Sequence, residues 1–245
     1  MNKALIVGGS NGIGLSLVCN MAATCDKVLI VDKIGPDIVL PTNVEYVKFD
    51  LLSEDFSIFD KMQDIDTLMI TAGFGHLSLF KDITEQEIVN YFNINTIAVI
   101  RIIKHFYNQL QRTETFRCGV MVSIAGFMSS PFFSVYAATK SALKIFIESV
   151  NVELEKSGTH NRILNVSPGS IKGTKFDNHT TNDLTKTDAL AKDIIANLES
   201  GNDLFIPDYE EVYRDVLRRY HDDFRKEGLH SYDYKIQTGR IQTIK

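Results

Sequence analysis

The 245-residue sequence contains no tryptophan, five prolines and only three cysteines. Cys19, Cys25 and Cys118 form no Cys-x-x-Cys pair and lie at no metal-ligand spacing from a histidine. This pattern argues against a disulfide framework and against a zinc or other metal site. We therefore expect free thiols in a reducing compartment and a cytoplasmic protein.

Long basic runs and continuous apolar runs are also missing. The formal net charge is −5, and no run of Lys and Arg is longer than two residues. This argues against nucleic acid as a partner. The two long uncharged stretches, 4–25 and 118–139, contain glycines or serines, and the N-terminal apolar run is too short for a secretory signal. We expect a small-molecule partner, with no nucleic acid and no membrane.

The sequence alternates short β-branched runs with longer segments of helical spacing. This alternation is typical of parallel βαβ units, whose strands are apolar because both faces of the sheet are covered. We predict an α/β, doubly wound fold with a mostly parallel seven-stranded sheet and helices on both faces. The predicted strands are 3–7, 27–32, 44–49, 67–71, 118–123, 162–166 and 204–206, and the predicted helices are 13–23, 54–62, 84–111 (as one helix or two), 136–156 and 187–200.

The last 38 residues, 208–245, differ from the rest of the chain. Eight acidic and eight basic residues cancel there, while Tyr209, Val212, Val216, Tyr220 and Phe224 recur at steps of three and four. We predict an amphipathic helix and an arm rather than a separate domain. Two interpretations stay open: an arm packed on its own subunit or a neighbour, or a lid over a substrate.

A glycine-rich turn, GGSNGIG at residues 8–14, directly follows the first predicted strand and opens into a predicted helix. Glycines permit a tight turn and a close approach of the backbone to phosphates. The helix N-terminus adds free N–H groups and the positive end of the helix dipole. The sequence therefore predicts a site for the pyrophosphate of a dinucleotide.

The second predicted strand ends at Asp32, 18 residues after Gly14. A carboxylate at this position accepts hydrogen bonds from an adenosine ribose and repels a 2′-phosphate. NAD is therefore favoured as the cofactor. Lys33, the basic residue next to Asp32, keeps NADP open as the alternative.

A second constellation lies further along the chain. Tyr136 and Lys140 are four residues apart in a predicted helix, so their side chains share one face. Ser123 ends the preceding predicted strand, 13 residues before Tyr136, where ligands bind in open α/β sheets.

The order of these motifs resembles that of the short-chain dehydrogenase/reductase family, in its compact single-domain form, over residues 3 to about 206. Further matching segments are VKFDLL, TAG at 71–73, NINTIA, VSIAG and NVSPGSI. The resemblance implies an NAD(P)-binding Rossmann domain over 1–207 and a catalytic tetrad of Asn95, Ser123, Tyr136 and Lys140. It implies cofactor contacts from Gly8, Ser10, Asn11, Gly12, Ile13, Gly14, Asp32, Lys33, Asp50, Leu51, Thr71, Ala72, Gly73, Tyr136, Lys140, Pro168, Gly169, Ile171 and Thr174.

The resemblance also implies a reaction, hydride transfer between a nicotinamide and a small or medium alcohol or carbonyl substrate. Tyr136 would exchange a proton with the substrate oxygen, which Ser123 would orient, and Asn95 would hold a water in a proton relay. The ordinary tyrosine pKa of about 10 is too high for a base at neutral pH. Lys140, which would also hold the nicotinamide ribose, and the positive nicotinamide ring are expected to lower it.

The sequence departs from the family pattern at two places. Thr71 stands where the family usually has Asn, and Gly173 stands where it usually has Thr, with Thr174 one residue later. The resemblance implies a homodimer or a homotetramer. The alternative to an enzyme is a non-catalytic, nucleotide-binding regulatory protein on the same fold.

Several large apolar residues flank the expected site and predict an apolar substrate pocket, although such residues also pack cores. They are Phe74, Phe127, Met128, Phe132, Phe133 and Phe176.

Overall fold

The computed structural model describes residues 1–171 and 183–241. In these residues seven strands form one parallel sheet of order β3-β2-β1-β4-β5-β6-β7. This confirms the predicted seven-stranded, doubly wound sheet. The strands are β1 Lys3–Val7, β2 Lys27–Asp32, β3 Val44–Lys48, β4 Thr67–Ile70, β5 Arg117–Met121, β6 Ile163–Val166 and β7 Leu204–Phe205.

The central strand β1 supplies side chains to a core on each face of the sheet. Leu5 and Val7 join a core that includes residues of the 98–106 and 143–154 helical segments. Ala4 and Ile6 join the opposite core, which includes residues of the 17–21 and 190–198 segments. Because successive side chains of a strand point to opposite faces, an all-apolar strand such as β1 requires cover on both.

Eight α-helices are present in the described residues. They are α1 Gly12–Ala22, α2 Glu85–Phe92, α3 Ala98–His105, α4 Tyr107–Leu110, α5 Ser134–Ser157, α6 Asp188–Glu199, α7 Arg214–Asp222 and α8 Phe224–Gln237. No helix of the described segments has the length and apolar character that a membrane span requires.

Two predicted helices take a different form. The helix predicted over 54–62 is only a 3-10 helix, Ser57–Met62. At its start, the Asp55 carboxylate accepts hydrogen bonds from the backbone N–H and the hydroxyl of Ser57. The segment predicted over 84–111 begins as expected at Thr84, which forms a capping box with Glu87. It is then interrupted by a π-helical turn, Asn93–Ile97, and again at Phe106.

The C-terminal part also differs from the prediction of one amphipathic helix. A π-helical turn, Tyr209–Tyr213, leads into α7, and a separate helix α8 follows. The break occurs at Asp223, whose side chain accepts hydrogen bonds from the backbone N–H groups of Arg225 and Lys226 and so caps α8. Sequence periodicity missed α8 because its buried side chains include the charged residues Glu227 and Lys235.

Candidate functional site

A cavity of about 1170 Å³ lies at the carboxyl ends of the central strands. Its lining begins at the glycine-rich turn after β1, passes the residues that follow β2, β4, β5 and β6, and ends at the C-terminal helices α7 and α8. This is the edge of a doubly wound sheet where ligands bind. All the sequence-predicted site residues line the cavity except Ser10, Asn95 and Thr174, and Thr174 lies outside the described residues.

The turn after β1 has the geometry that its glycines predict. Gly8 has a φ of +88°, and a side chain there would collide with the backbone of Ala72. Thr71, which stands in place of the family's Asn, donates its hydroxyl to the carbonyl of Gly8 at 2.9 Å. The substitution therefore keeps the turn tied to the end of β4.

The start of α1 has the chemistry of an anion site. Asn11 caps the helix without a side-chain hydrogen bond to its first turn, which contains no acidic residue. The Ser10 hydroxyl is buried and has no hydrogen-bond partner among the described residues. An orphaned hydroxyl beside a helix N-terminus free of acidic side chains fits the pyrophosphate of a dinucleotide.

The carboxylate of Asp32 lies at the far end of the cavity and faces the same turn. It accepts hydrogen bonds from the backbone N–H groups of Ser10 at 3.1 Å and Lys33 at 2.7 Å. Lys33 turns its ammonium toward Asp50, at 2.8 Å from the carboxylate. This ion pair and the N–H of Leu52 lower the pKa of Asp50.

Tyr136, Ser123 and Lys140 come together in the lining of the same cavity. Tyr136 and Lys140 lie on the first turns of α5, and Ser123 precedes the 3-10 turn Ile124–Gly126, accepting a hydrogen bond from Ala125. Lys140 is 3% exposed and donates to the carbonyl of Met121 at 2.9 Å. Its ammonium lies 5.6 Å from the centre of the Tyr136 ring.

Burial shifts the pKa values of both Tyr136 and Lys140 in the protein without cofactor. Burial raises the pKa of Tyr136 to about 12, against a smaller lowering by its hydrogen bond with Ser123. Burial likewise lowers the pKa of Lys140 to about 8. The expected lowering of the tyrosine pKa requires a bound nicotinamide ring beside Lys140, and it stays a prediction.

Asn95 is fully buried in the π-helical turn, and its side chain is fully engaged. Its oxygen accepts from the N–H of Phe74 at 2.9 Å, and its nitrogen donates to the carbonyl of Phe74 at 2.8 Å and to Thr139 at 3.3 Å. These bonds place Asn95 as a positioning residue for the segment after Thr71. The water relay assigned to it stays a prediction.

The turn after β6 is covered by the C-terminal arm. Pro168 accepts a hydrogen bond from the N–H of Ile124, and a side chain at Gly169 would collide with the hydroxyl of Tyr213. Arg240 donates to the hydroxyl of Ser170 at 3.0 Å. The arm thus packs on its own chain and lines one wall of the cavity, whereas a lid over a substrate stays a prediction.

Three of the predicted apolar substrate residues, Phe74, Met128 and Phe133, line the cavity. Phe132 is instead buried against Tyr232 of α8, with ring centres 4.4 Å apart, and Phe176 lies outside the described residues. The sequence analysis missed the polar side chains that α7, α8 and the residues after α8 bring to the cavity. They are Arg219, Glu227, His230, Ser231, Lys235 and Arg240. Arg219 lies in the predicted amphipathic segment, but α8, which carries Glu227, His230, Ser231 and Lys235, was not predicted.

Comparison with known proteins identifies the family to which this chain is similar. The sequence matches the family described as short chain dehydrogenase over residues 2–185. It is 30% identical to human 17-beta-hydroxysteroid dehydrogenase type 1 over 104 residues, which is 42% of this chain and 32% of that protein. It is 29% identical to the dehydrogenase RED2 of Cochliobolus heterostrophus over 160 residues, covering 62% of this chain and 60% of that one. The chain thus matches less than two thirds of the length of either relative.

A solved structure gives the same fold over nearly the whole chain. The short-chain dehydrogenase from Sphingobium yanoikuyae, in complex with NADPH, superposes with a TM-score of 0.72 at 20% identity. The match covers 94% of this chain and 96% of that one.

Proposed function

We propose that this chain, which belongs to the short chain dehydrogenase family, transfers a hydride between a nicotinamide dinucleotide and a small or medium alcohol or carbonyl substrate. The observation that carries the proposal is the shared cavity. Its lining includes both the glycine-rich turn with Asp32 and the group of Tyr136, Ser123 and Lys140.

In this proposal the residues around Tyr136 handle the proton. A tyrosine with a pKa of about 12 is protonated at neutral pH, so Tyr136 can donate its proton to the oxygen of a carbonyl substrate. Ser123, hydrogen-bonded with Tyr136, orients the same oxygen. Lys140, whose ammonium lies 5.6 Å from the centre of the Tyr136 ring, stabilises the phenolate that forms. The nicotinamide, when bound, supplies or accepts the hydride.

Two observations bear on which dinucleotide binds. The Asp32 carboxylate favours NAD because it would repel a 2′-phosphate, and the neighbouring Lys33 is already paired with Asp50. Against this, the superposed structure from Sphingobium yanoikuyae holds NADPH. We propose NAD as the preferred cofactor and NADP as the alternative, separated by titration with NADH and NADPH followed by nicotinamide fluorescence.

The test of the proposed chemistry is Tyr136→Phe. We expect loss of at least about 1000-fold in turnover, because the proton donor is removed, with NADH affinity unchanged. Turnover is measured on a panel of secondary alcohols and ketones with whichever dinucleotide binds. Tyr107→Phe, a half-buried tyrosine away from the cavity, serves as the control.

Three outcomes contradict the proposal in distinct ways. Turnover of Tyr136→Phe within a few-fold of the wild type removes Tyr136 from the chemistry. Binding of a dinucleotide without turnover of any substrate favours the regulatory protein. Failure of both NADH and NADPH to bind ends the oxidoreductase assignment.

A further inference from the structure

The charges that line the cavity are mostly paired. Asp50 lies 2.8 Å from Lys33, and Glu227 receives two hydrogen bonds from Arg219 at 2.7 and 3.1 Å. Asp32 accepts two backbone N–H groups. The acidic side chains of the lining therefore have partners already.

Three cations of the lining have no ion pair with a described acidic side chain: Lys140, and Lys235 and Arg240 of the arm. Lys235 and Arg240 line the cavity, and within residues 1–171 and 183–241 no acidic side chain forms an ion pair with either. They lie close together, because the N–H of Arg240 donates to the carbonyl of Lys235 at the end of α8. The arm thus adds uncompensated positive charge to the cavity.

Lys235 is held firmly but only by neutral groups. The side chain is 6% exposed, and its ammonium donates to the carbonyl of Pro131 at 2.8 Å and to the hydroxyls of Ser130 and Ser231 at 3.2 Å. Each hydroxyl that accepts from the ammonium keeps its own proton for another acceptor. Both serines line the cavity.

These features have the chemistry of an anion site. An ammonium buried without a counter-charge is costly, and burial with the nearby Arg240 lowers the pKa of Lys235 to about 8. A carboxylate or phosphate beside Lys235 would restore the charge balance and accept the free hydroxyl protons of the two serines.

The site lies at the substrate end of the cavity. The Lys235 ammonium is 5.9 Å from the centre of the Phe133 ring, and that ring is 5.3 Å from the ring of Tyr136. One aromatic side chain therefore separates the cation from the proposed proton donor. We propose that Lys235, assisted by Arg240, binds an anionic group of the substrate, so that this enzyme acts on hydroxy or oxo compounds that carry a carboxylate or a phosphate. The proposal rests on the function proposed above.

The test compares benzoate with benzamide, which has nearly the same shape but no charge. Binding of each to the full chain is measured by calorimetry, with and without saturating NADH. We expect the wild type to bind benzoate at least about tenfold more tightly than benzamide. Lys235→Met should bring this ratio close to one. Lys226→Met, an exposed lysine on the same helix, should leave it unchanged.

Each result of this test either supports the anion site at Lys235 or overturns it. Equal binding of the two probes by the wild type overturns the proposal without any variant. A Lys235→Met chain that loses NADH affinity but keeps the benzoate preference assigns the cation to the cofactor and overturns it as well. If Lys235→Met does not fold, Arg240→Gln must lower the ratio instead. Because probe binding is also measured without NADH, a failure of the dinucleotide to bind contradicts the proposed function and leaves this measurement intact.

Discussion

At the residue scale, the burial of the Lys140 ammonium carries a cost in stability. Its ammonium is buried beside Tyr136 and donates a hydrogen bond to one neutral acceptor, the carbonyl of Met121. The protein therefore holds a charged group where an apolar one would be more stable. A cost of this kind is common at functional sites, where geometry for the reaction takes precedence over stability.

This cost predicts a stability gain on Lys140→Met. Because the folded-state pKa is about 8 and the unfolded value is about 10.4, the unfolded chain binds more protons between these pH values. The free energy of unfolding of the wild type must then rise with pH across that window, and the full penalty is present at pH 7. We expect Lys140→Met to be more stable than the wild type at pH 7 by about 1–3 kcal/mol and to have lost activity.

Urea unfolding at pH 7 and pH 10 measures both effects. The gain should shrink at pH 10, where the folded wild type has released the proton. The matched control is Lys144→Met, four residues later on α5, whose ammonium forms an ion pair with Glu148 at 2.8 Å. Loss of stability in Lys140→Met at pH 7 would show that the bond to Met121 outweighs the burial of the charge.

At the element scale, the sequence predicted the elements whose signals are local. The apolar strand β1, the glycine turn and the start of α1 lie within 22 residues of one another, and propensity and periodicity specify them. The interruption of the 84–111 segment depends instead on Asn95 binding the backbone of Phe74, which is 21 residues away. Such a contact has no periodic signature.

The C-terminal arm was even less predictable from the sequence, because its contacts are more distant along the chain. The glycine turn, Asp32 and the Tyr136–Lys140 pair of the cavity could be predicted because motifs carry them. Lys235 could not, because its partners Ser130 and Pro131 lie 105 and 104 residues earlier. A helix that packs through charged side chains lacks the apolar stripe on which sequence periodicity depends.

At the element scale, the prediction concerns the stability of α8 after its N-terminal cap is removed. Asp223 accepts the first N–H groups of the helix, and removing a cap of this type costs about 1 kcal/mol. We expect Asp223→Ala to increase amide hydrogen exchange in α8 by about fivefold, with little change in the central strands. Since the arm closes the cavity wall, KM should rise more than kcat falls.

Asp233→Ala provides the control, since this exposed residue of α8 caps nothing in the described residues. Uniformly faster exchange in β1 and β4 as well would mean that α8 and the sheet unfold as one unit. That result would contradict the separate behaviour of the arm.

At the scale of the whole molecule, the cavity joins two parts of the chain with different origins of stability. The sheet and its helices bury the apolar clusters, and no described residue beyond Phe205 belongs to them. The arm is held by polar and aromatic contacts, such as Lys235 with Pro131 and Tyr232 with Phe132. The dinucleotide end of the cavity belongs to the first part, and the proposed anion site belongs to the second.

This division predicts the behaviour of a chain that ends at residue 207. Because both faces of the sheet keep their cores, we expect cooperative unfolding in urea and NADH affinity within about tenfold of the full chain. The small loss is expected from the contacts of Tyr213 with Gly169 and of Arg240 with Ser170. The preference for benzoate over benzamide should disappear, because Lys235 is gone. A shortened chain that neither folds nor binds NADH would instead make residues 208–245 an integral part of the domain.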